Sequence, residues 1–142
     1  MDYSATVWDP YLQKDIDRIE GVQRRVARFI FNDYLRSSSV TAMMESLKWT
    51  PLAERRREQR LILLFKIVND LVAIPTNDII NFNNRPSRNS NNRQIKVLST
   101  NTDIYKNSYF PKTIKDWNNL SDSAVHCKTV TAFKMALTSS CD

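Results

Sequence analysis

The chain has 142 residues, of which 42% are hydrophobic and 25% charged, with a net charge of +6. It is long enough for one domain of ordinary size, and its composition excludes wholesale disorder. Gly21 is the only glycine, which excludes Walker and Rossmann phosphate loops and the nucleophile elbow, since all of these require several glycines.

The first predicted element is an amphipathic helix over residues 14–32. Residues at spacings of three and four predict its packed face: Ile16, Ile19, Gln23, Val26 and Ile30. The opposite face carries a basic stripe that surrounds Gly21: Lys14, Arg18, Arg25 and Arg28. This stripe is either a solvated face, partly neutralised by nearby acidic residues, or a surface that follows a nucleic-acid backbone.

Two further helices are predicted before residue 75. The serines at residues 37–39 offer an N-cap for a short helix that ends near Leu47. Thr50 offers the next N-cap, with Pro51 at the first helical position, and this helix should continue to about Leu71.

The second half of the chain is predicted to be less regular. Residues 75–92 are rich in Asn, Ser and Pro and favour a long loop. A short strand is predicted over residues 94–98 and a short helix over 111–119. Thr129 should cap a last helix that runs to about Leu137, with Phe133, Ala136 and Leu137 facing inward.

The predicted fold class is therefore mainly α. We expect a small, thumb-like helical bundle over residues 1–74 and an Asn-rich loop or linker over 75–94. A smaller, irregular helical part over 95–142 should pack on the first.

The third predicted helix concentrates arginine in its first turns: Arg55, Arg56, Arg57 and Arg60. Cations near a helix N-terminus are unfavourable by about 0.3–1 kcal/mol each, so anionic partners are expected. Arg57 and Arg60 share the spacing of the apolar face. They either lie at the edge of the core with their charged ends in solvent, as we expect, or form a buried ion pair or enter a nucleic-acid groove.

Residues 85–115 hold the whole net charge excess, because the remainder of the chain is balanced. The cations of this segment oppose only Asp103: Arg85, Arg88, Arg93, Lys96, Lys106, Lys112 and Lys115. This distribution favours an anionic partner.

The sequence offers little for catalysis or metal binding. His126 has only Cys127 beside it, and Asp15 and Asp17 face different directions on a helix. No enzyme activity of its own, metal, cofactor or small-molecule substrate is therefore predicted. Two cysteines without a secretory signal favour reduced thiols in an intracellular protein, and the longest apolar run, residues 61–65, is far shorter than the roughly 18 residues of a membrane helix.

Several motifs occur in a particular order along nearly the whole chain. They are Trp-Asp-Pro-Tyr at residues 8–11, Gln-Arg-Arg-Val-Ala-Arg-Phe at 23–29, a Ser-rich turn at 36–43, Trp49 before the arginines at 55–57, residues 65–69, and Tyr-Phe-Pro-Lys-Thr-Ile-Lys-Asp-Trp-Asn at 109–118. In this order they resemble the region downstream of the catalytic palm in jockey-like, non-long-terminal-repeat retrotransposon reverse transcriptases.

The resemblance implies the thumb and post-thumb region of an RNA-directed DNA polymerase. The palm motif Tyr-x-Asp-Asp does not occur in this chain, so it should not polymerise DNA by itself. Ser121 stands where members of that family usually have proline, and Met1 falls inside a family helix. We therefore expect a truncated open reading frame.

Nucleic-acid contacts are expected from one set of cations: Lys14, Arg18, Arg24, Arg25, Arg28, Arg55, Arg56, Arg57, Arg60, Arg85, Arg88, Arg93 and Lys96. The expected partner is the backbone of RNA or an RNA–DNA hybrid, as the resemblance implies. Two alternatives remain. One is a helical protein-interaction module that binds the missing palm or itself, and the other is a non-functional transposon relic. Trp8, Trp49, Phe110 and Trp117 are expected to be structural.

Overall fold

The computed structural model describes residues 9–76, 79–83 and 91–139. Within these ranges the protein is mainly α-helical, as the sequence predicts, and has no β-sheet. The helices are α1 (Gln13–Phe31), α2 (Val40–Ser46), α3 (Leu52–Val68), α4 (Asp103–Lys106), α5 (Tyr109–Asn118), α6 (Asp122–Val125) and α7 (Val130–Ser139).

Helix α3 is the centre of the fold, because it packs on α5 and α7 along its length and on α1 as well. The rings of Phe65 in α3 and Phe133 in α7 stack with their centroids 4.4 Å apart. Trp117 in α5 is fully buried beside them, which confirms its predicted place in the core. The N-terminal and C-terminal helices therefore share α3 as a common packing partner.

Helix α1 is attached to the start of α3 by two polar side chains. Glu20 Oε1 accepts a hydrogen bond from the Ala53 N–H at 3.0 Å, and Gln23 Nε2 donates to the Thr50 carbonyl at 3.2 Å. The predicted N-cap role of Thr50 is wrong, since α3 begins at Leu52 after Pro51. A carboxylate from another helix satisfies a first-turn amide instead.

The predicted packed face of α1 is only partly correct. Gln23 is buried and Ile16 partly so, but Val26 and Ile30 are exposed. Ala27 is buried in their place. The reason is that α2 and the start of α3 cover the side of α1 that holds Gln23 and Ala27.

The ends of α2 and α3 follow local backbone rules. Ser39 Oγ accepts from the Ala42 N–H at 3.3 Å, which confirms the predicted cap of α2. Helix α3 stops at Val68 rather than near Leu71, because Asp70 adopts a left-handed conformation with φ 54°. The Leu71 N–H then bonds back to the Lys66 carbonyl at 2.8 Å, which closes the helix.

The predicted strand over residues 94–98 is wrong. Only an isolated antiparallel bridge joins Phe82 and Ile95. Asn118 of α5 uses its side-chain amide to bind both polar backbone groups of Ile95, at 2.9 and 2.8 Å. Ile95 is thereby held against a helix instead of pairing within a ladder.

The last helix matches its prediction. Thr129 Oγ1 accepts from the Ala132 N–H at 3.1 Å, and both Phe133 and Leu137 are buried. Ala136 is partly buried against the same core. The short helices α4 and α6 are not among the elements that the sequence predicts.

The end of the predicted loop is tied to the C-terminal helices. Asn91 is buried and donates its side-chain amide to the carbonyls of Trp117 at 3.0 Å and Leu120 at 3.2 Å. Residues 77–78 and 84–90 of this loop lie outside the described ranges. No helix within the described ranges combines the length and the hydrophobicity needed to cross a membrane.

Candidate nucleic-acid interface

A groove of about 1320 Å³ runs between α1 and α2 and reaches the start of α3. On the α2 side its wall is largely apolar and includes Val40, Met44 and Trp49. The lining residues carry both positive and negative charges. The positive ones are Arg18, Arg24, Arg25 and Arg28. The acidic ones are Asp17, Glu20 and Glu45. The lining therefore carries four cations against three acidic side chains, and the Glu20 carboxylate accepts a hydrogen bond from the Ala53 N–H.

Backbone contacts orient two of the groove arginines. Arg25 Nε donates to the Gly21 carbonyl at 3.2 Å, and Arg28 Nη1 donates to the Leu35 carbonyl at 2.9 Å. A guanidinium group carries five N–H donors, so both retain donors for an anion. Arg24 and Arg25 are exposed, and Arg28 is half-buried.

Gly21 also lines this groove, in the middle of α1. A Cβ placed on Gly21 would meet no atom within 4 Å. Glycine in a helix interior costs about 0.5–1 kcal/mol relative to alanine, and no packing in the protein itself requires it here. The missing side chain does allow another molecule to approach the helix backbone closely.

Gly21→Ala should raise the free energy of unfolding by about 0.5–1 kcal/mol, because it lowers the conformational entropy of the unfolded chain without a steric conflict. Urea denaturation measures this change. A lower stability would show that the open space at Gly21 is not accessible to a side chain in solution.

A second cluster of charges lies across the molecule, between α3 and α5. Arg60 is buried, and its Nη2 donates to Asp116 Oδ2 at 2.8 Å while its Nη1 donates to Asp9 Oδ2. Lys112 Nζ donates to the same Asp9 carboxylate. Arg57 lies at the edge, with its Nε 3.9 Å from Asp116 and its side chain 46% exposed.

This geometry decides between the alternatives for the two arginines. The expected edge position is correct for Arg57. It is wrong for Arg60, which forms the buried ion pair instead. Arg60 is therefore corrected from a nucleic-acid contact to a structural residue, since its charge is already compensated inside the protein.

One further predicted contact is corrected because its side chain is buried. Arg56 is 2% exposed, because it lies four residues before Arg60 on the buried side of α3. Arg93 is partly buried and donates from Nη1 to Asn69 Oδ1 at 3.2 Å and to the Val125 carbonyl at 3.3 Å. Like Arg28 it retains other donors, so its contact with nucleic acid stays a prediction. The sequence contains the spacing of four residues between Arg56 and Arg60. The packed face predicted for α3 nevertheless includes Arg57 and Arg60 as its arginines and omits Arg56.

Apart from Arg18, which lines the groove, the other predicted cations are dispersed. Lys14, Arg18 and Lys96 are exposed, and Arg18 is 4.0 Å from Asp15. Arg55 is partly buried and lines a separate cleft beside α7. Arg85 and Arg88 lie outside the described residues. The groove thus brings together Arg18, Arg24, Arg25 and Arg28 from the predicted set.

The charge cluster between α3 and α5 perturbs its lysine. Burial, reinforced by the Arg60 guanidinium, lowers the pKa of Lys112 to about 8, although Asp116 acts in the opposite direction. Burial likewise raises the pKa of Tyr109, whose hydroxyl donates to the Arg60 carbonyl at 3.1 Å.

The stability of the protein should therefore rise from about pH 8 to pH 9.5. Between the folded pKa of Lys112, about 8, and the ordinary value of 10.5, the unfolded chain binds more protons than the folded one. The gain should be modest, because solvent around the partly exposed lysine and its ion pair with Asp9 both favour the charged form. Urea denaturation at a series of pH values up to 9.5 measures it.

Lys112→Met should remove this pH dependence, whereas Lys115→Met, at an exposed position of the same helix, should retain it. The same rise in both variants would show that Lys112 is not its source.

The described residues contain no group of three or more His, Cys, Asp or Glu side chains that could hold a metal ion. No protein-family model, curated protein or solved structure matches this chain. The resemblance to retrotransposon reverse transcriptases therefore rests on the sequence motifs alone.

Proposed function

We propose that this chain is a nucleic-acid-binding module that grips the backbone of RNA or an RNA–DNA hybrid, as the thumb of a non-long-terminal-repeat retrotransposon reverse transcriptase would. The motifs along the chain support the relationship, and the groove between α1 and α2 supports the mode of binding. The module has no catalytic role of its own in this proposal, and no cofactor.

One observation carries the proposal: the groove places Arg24, Arg25 and Arg28 around the open backbone of Gly21. Guanidinium groups bind phosphate oxygens through paired N–H donors, and a helix without a side chain at its centre lets a phosphate chain approach. Such contacts recognise charge and shape rather than base sequence. Binding should therefore be general for nucleic acid and sensitive to salt.

Replacing Arg24, Arg25 and Arg28 together with glutamine should weaken binding to an RNA–DNA hybrid. For every arginine that no longer binds a phosphate, the slope of log affinity against log salt should fall by about 0.7–0.9. Fluorescence anisotropy with a labelled hybrid, measured at several salt concentrations, gives both affinity and slope. The double variant Arg24→Gln with Arg25→Gln retains the hydrogen bond from Arg28 to Leu35 and serves if the triple variant folds poorly.

A matched control has the same loss of charge at exposed positions outside the groove: Lys106→Gln, Lys115→Gln and Lys128→Gln. We expect it to retain most of the affinity and the slope. Equal losses in the groove and control variants would contradict a specific role of the groove and indicate a response to net charge alone.

Association with another protein, either a polymerase palm or a second copy, is the second candidate. It is favoured by exposed apolar side chains at the end of α1, among them Phe29 and Ile30. Binding through apolar contacts should change little with salt, whereas phosphate binding should weaken steeply as salt rises. The same titration therefore separates the two candidates.

A further inference from the structure

The last turn of α1 and the turn that follows expose an unusual group of aromatic side chains. Phe29 is 73% exposed, Phe31 44% and Tyr34 62%. We call residues 29–34 the aromatic ledge. Phe29 follows Arg25 by four residues and so lies on the same side of α1, whereas Phe31 points to another side. Exposed large apolar side chains commonly mark a contact with another molecule.

The ledge is held in place by backbone hydrogen bonds. Asn32 adopts a left-handed conformation with φ 48°, and the N–H of Asp33 donates to the Arg28 carbonyl at 3.1 Å. Asp33 Oδ1 then accepts from the Leu35 N–H at 3.1 Å. The backbone that carries Phe29 and Tyr34 is thus ordered before any ligand binds, which reduces the entropy cost of using them.

The charged side chains in and beside the ledge are almost all positive. Residues 24–36 contain a single acidic side chain, Asp33, against these cations: Arg24, Arg25, Arg28 and Arg36. Hydrogen bonds from Ser38 and the Leu35 backbone lower the pKa of Asp33, so it stays ionised as one negative charge beside four positive ones. Two copies of the ledge brought together by a twofold axis would oppose like charges, whereas a polyanion would be attracted.

The ledge is continuous with the groove through Arg28. This residue lines the groove and also donates to the carbonyl of Leu35, one residue beyond the ledge. A strand whose phosphates lie along the groove arginines is therefore led towards Phe29 and Tyr34. Exposed aromatic rings beside arginines are the arrangement with which proteins bind unpaired bases, because every base can stack on a ring.

We propose that the aromatic ledge stacks the bases of a single-stranded stretch of nucleic acid whose backbone occupies the groove. This inference rests on the proposed function and restricts its preferred ligand to nucleic acid with unpaired bases. The preferred ligand is a single strand, or a duplex with an unpaired extension, because its bases are free to stack, whereas a fully paired hybrid would be held through its backbone alone. Phe29 and Tyr34 supply the stacking surface and the groove arginines supply the charge.

The test compares a single-stranded oligonucleotide with a blunt RNA–DNA hybrid of the same sequence, by anisotropy at low salt. Phe29→Leu with Tyr34→Leu keeps apolar bulk but removes both rings. It should weaken single-strand binding about tenfold or more and change hybrid binding less than about twofold. The matched control is Phe82→Leu with Tyr105→Leu, two rings that are 47% and 46% exposed elsewhere, and it should bind like the intact chain.

A second measurement does not depend on the variants. Photo-crosslinking of the intact chain to an oligonucleotide with a photoreactive uracil should attach the label to Phe29, Phe31 or Tyr34. Trypsin cuts after Arg28 and Arg36, so one peptide, residues 29–36, carries all three rings for mass spectrometry.

The outcomes separate this inference from the proposed function. Salt-dependent binding of the hybrid, with single-strand binding unaffected by the ledge variant and no crosslink to residues 29–36, would overturn the ledge alone. Failure of the folded chain to bind either ligand at low salt would overturn both. Self-association that the ledge variant abolishes, without crosslinking, would assign the ledge to a protein interface and likewise overturn the inference.

Discussion

Arg60→Met should lower the free energy of unfolding by about 3 kcal/mol, because it leaves the carboxylates of Asp9 and Asp116 without their common buried partner. Breaking a buried ion pair from one side typically costs about 3–5 kcal/mol. The lower end applies here, since the Asp116 side chain is 25% exposed. Urea denaturation followed by circular dichroism measures the change.

Arg57→Met is the matched control for this variant, because Arg57 faces the same Asp116 from an exposed position. A surface pair contributes only about 0–1 kcal/mol, so its replacement should cost no more than that. The double variant Arg60→Met with Asp116→Asn should recover part of the stability that Arg60→Met removes, since one uncompensated charge is eliminated. Equal effects of the two arginine replacements would contradict the burial assigned to Arg60.

Trp117→Ala should lower the free energy of unfolding by about 3–5 kcal/mol. The indole is fully buried against Phe133, and its Nε1 donates to the Arg93 carbonyl at 3.0 Å. Truncation leaves a cavity where α5 meets the rest of the core and an unsatisfied carbonyl. Chemical denaturation measures the loss, which is a large share of the roughly 5–15 kcal/mol that stabilises a domain.

Trp49→Ala provides the comparison, because this tryptophan is half-buried on the wall of the groove. Its replacement should cost clearly less stability than that of Trp117, since less buried surface and no deep cavity are involved. Equal losses would show that Trp49 belongs to the core of the protein and not to the edge of the groove.

Local signals predict much of the helical architecture. Ser39 and Thr129 cap the helices predicted to follow them, because a hydroxyl acceptor three residues before a free amide acts within one turn. The spacing of Phe133 and Leu137 likewise predicts the buried face of α7. Such features need no information from distant residues.

Features that depend on distant partners could not be predicted in this way. Arg60 is compensated by Asp9 and Asp116, which lie 51 and 56 residues away in the chain. Asn91 has the sequence surroundings of a loop residue, and its partner Trp117 is 26 residues away. The exposure of Val26 and Ile30 depends on where α2 packs, which the periodicity of α1 does not contain.

The candidate site, too, can be predicted only in part from the sequence. The basic stripe on α1 follows from helical spacing, and the structure places Arg18, Arg25 and Arg28 of that stripe together with Arg24 in one groove. The opposite wall of the groove requires the packing of α2, and the exclusion of Arg56 and Arg60 requires the tertiary structure.

The most direct measurement is a salt titration of RNA–DNA hybrid binding by the intact, folded chain. Phosphate contacts through three groove arginines predict a fall in log affinity of about 2–3 per unit of log salt between roughly 50 and 200 mM. Absence of binding at the lowest salt, or an affinity unchanged across this range, would contradict the proposal that the groove between α1 and α2 grips a nucleic-acid backbone.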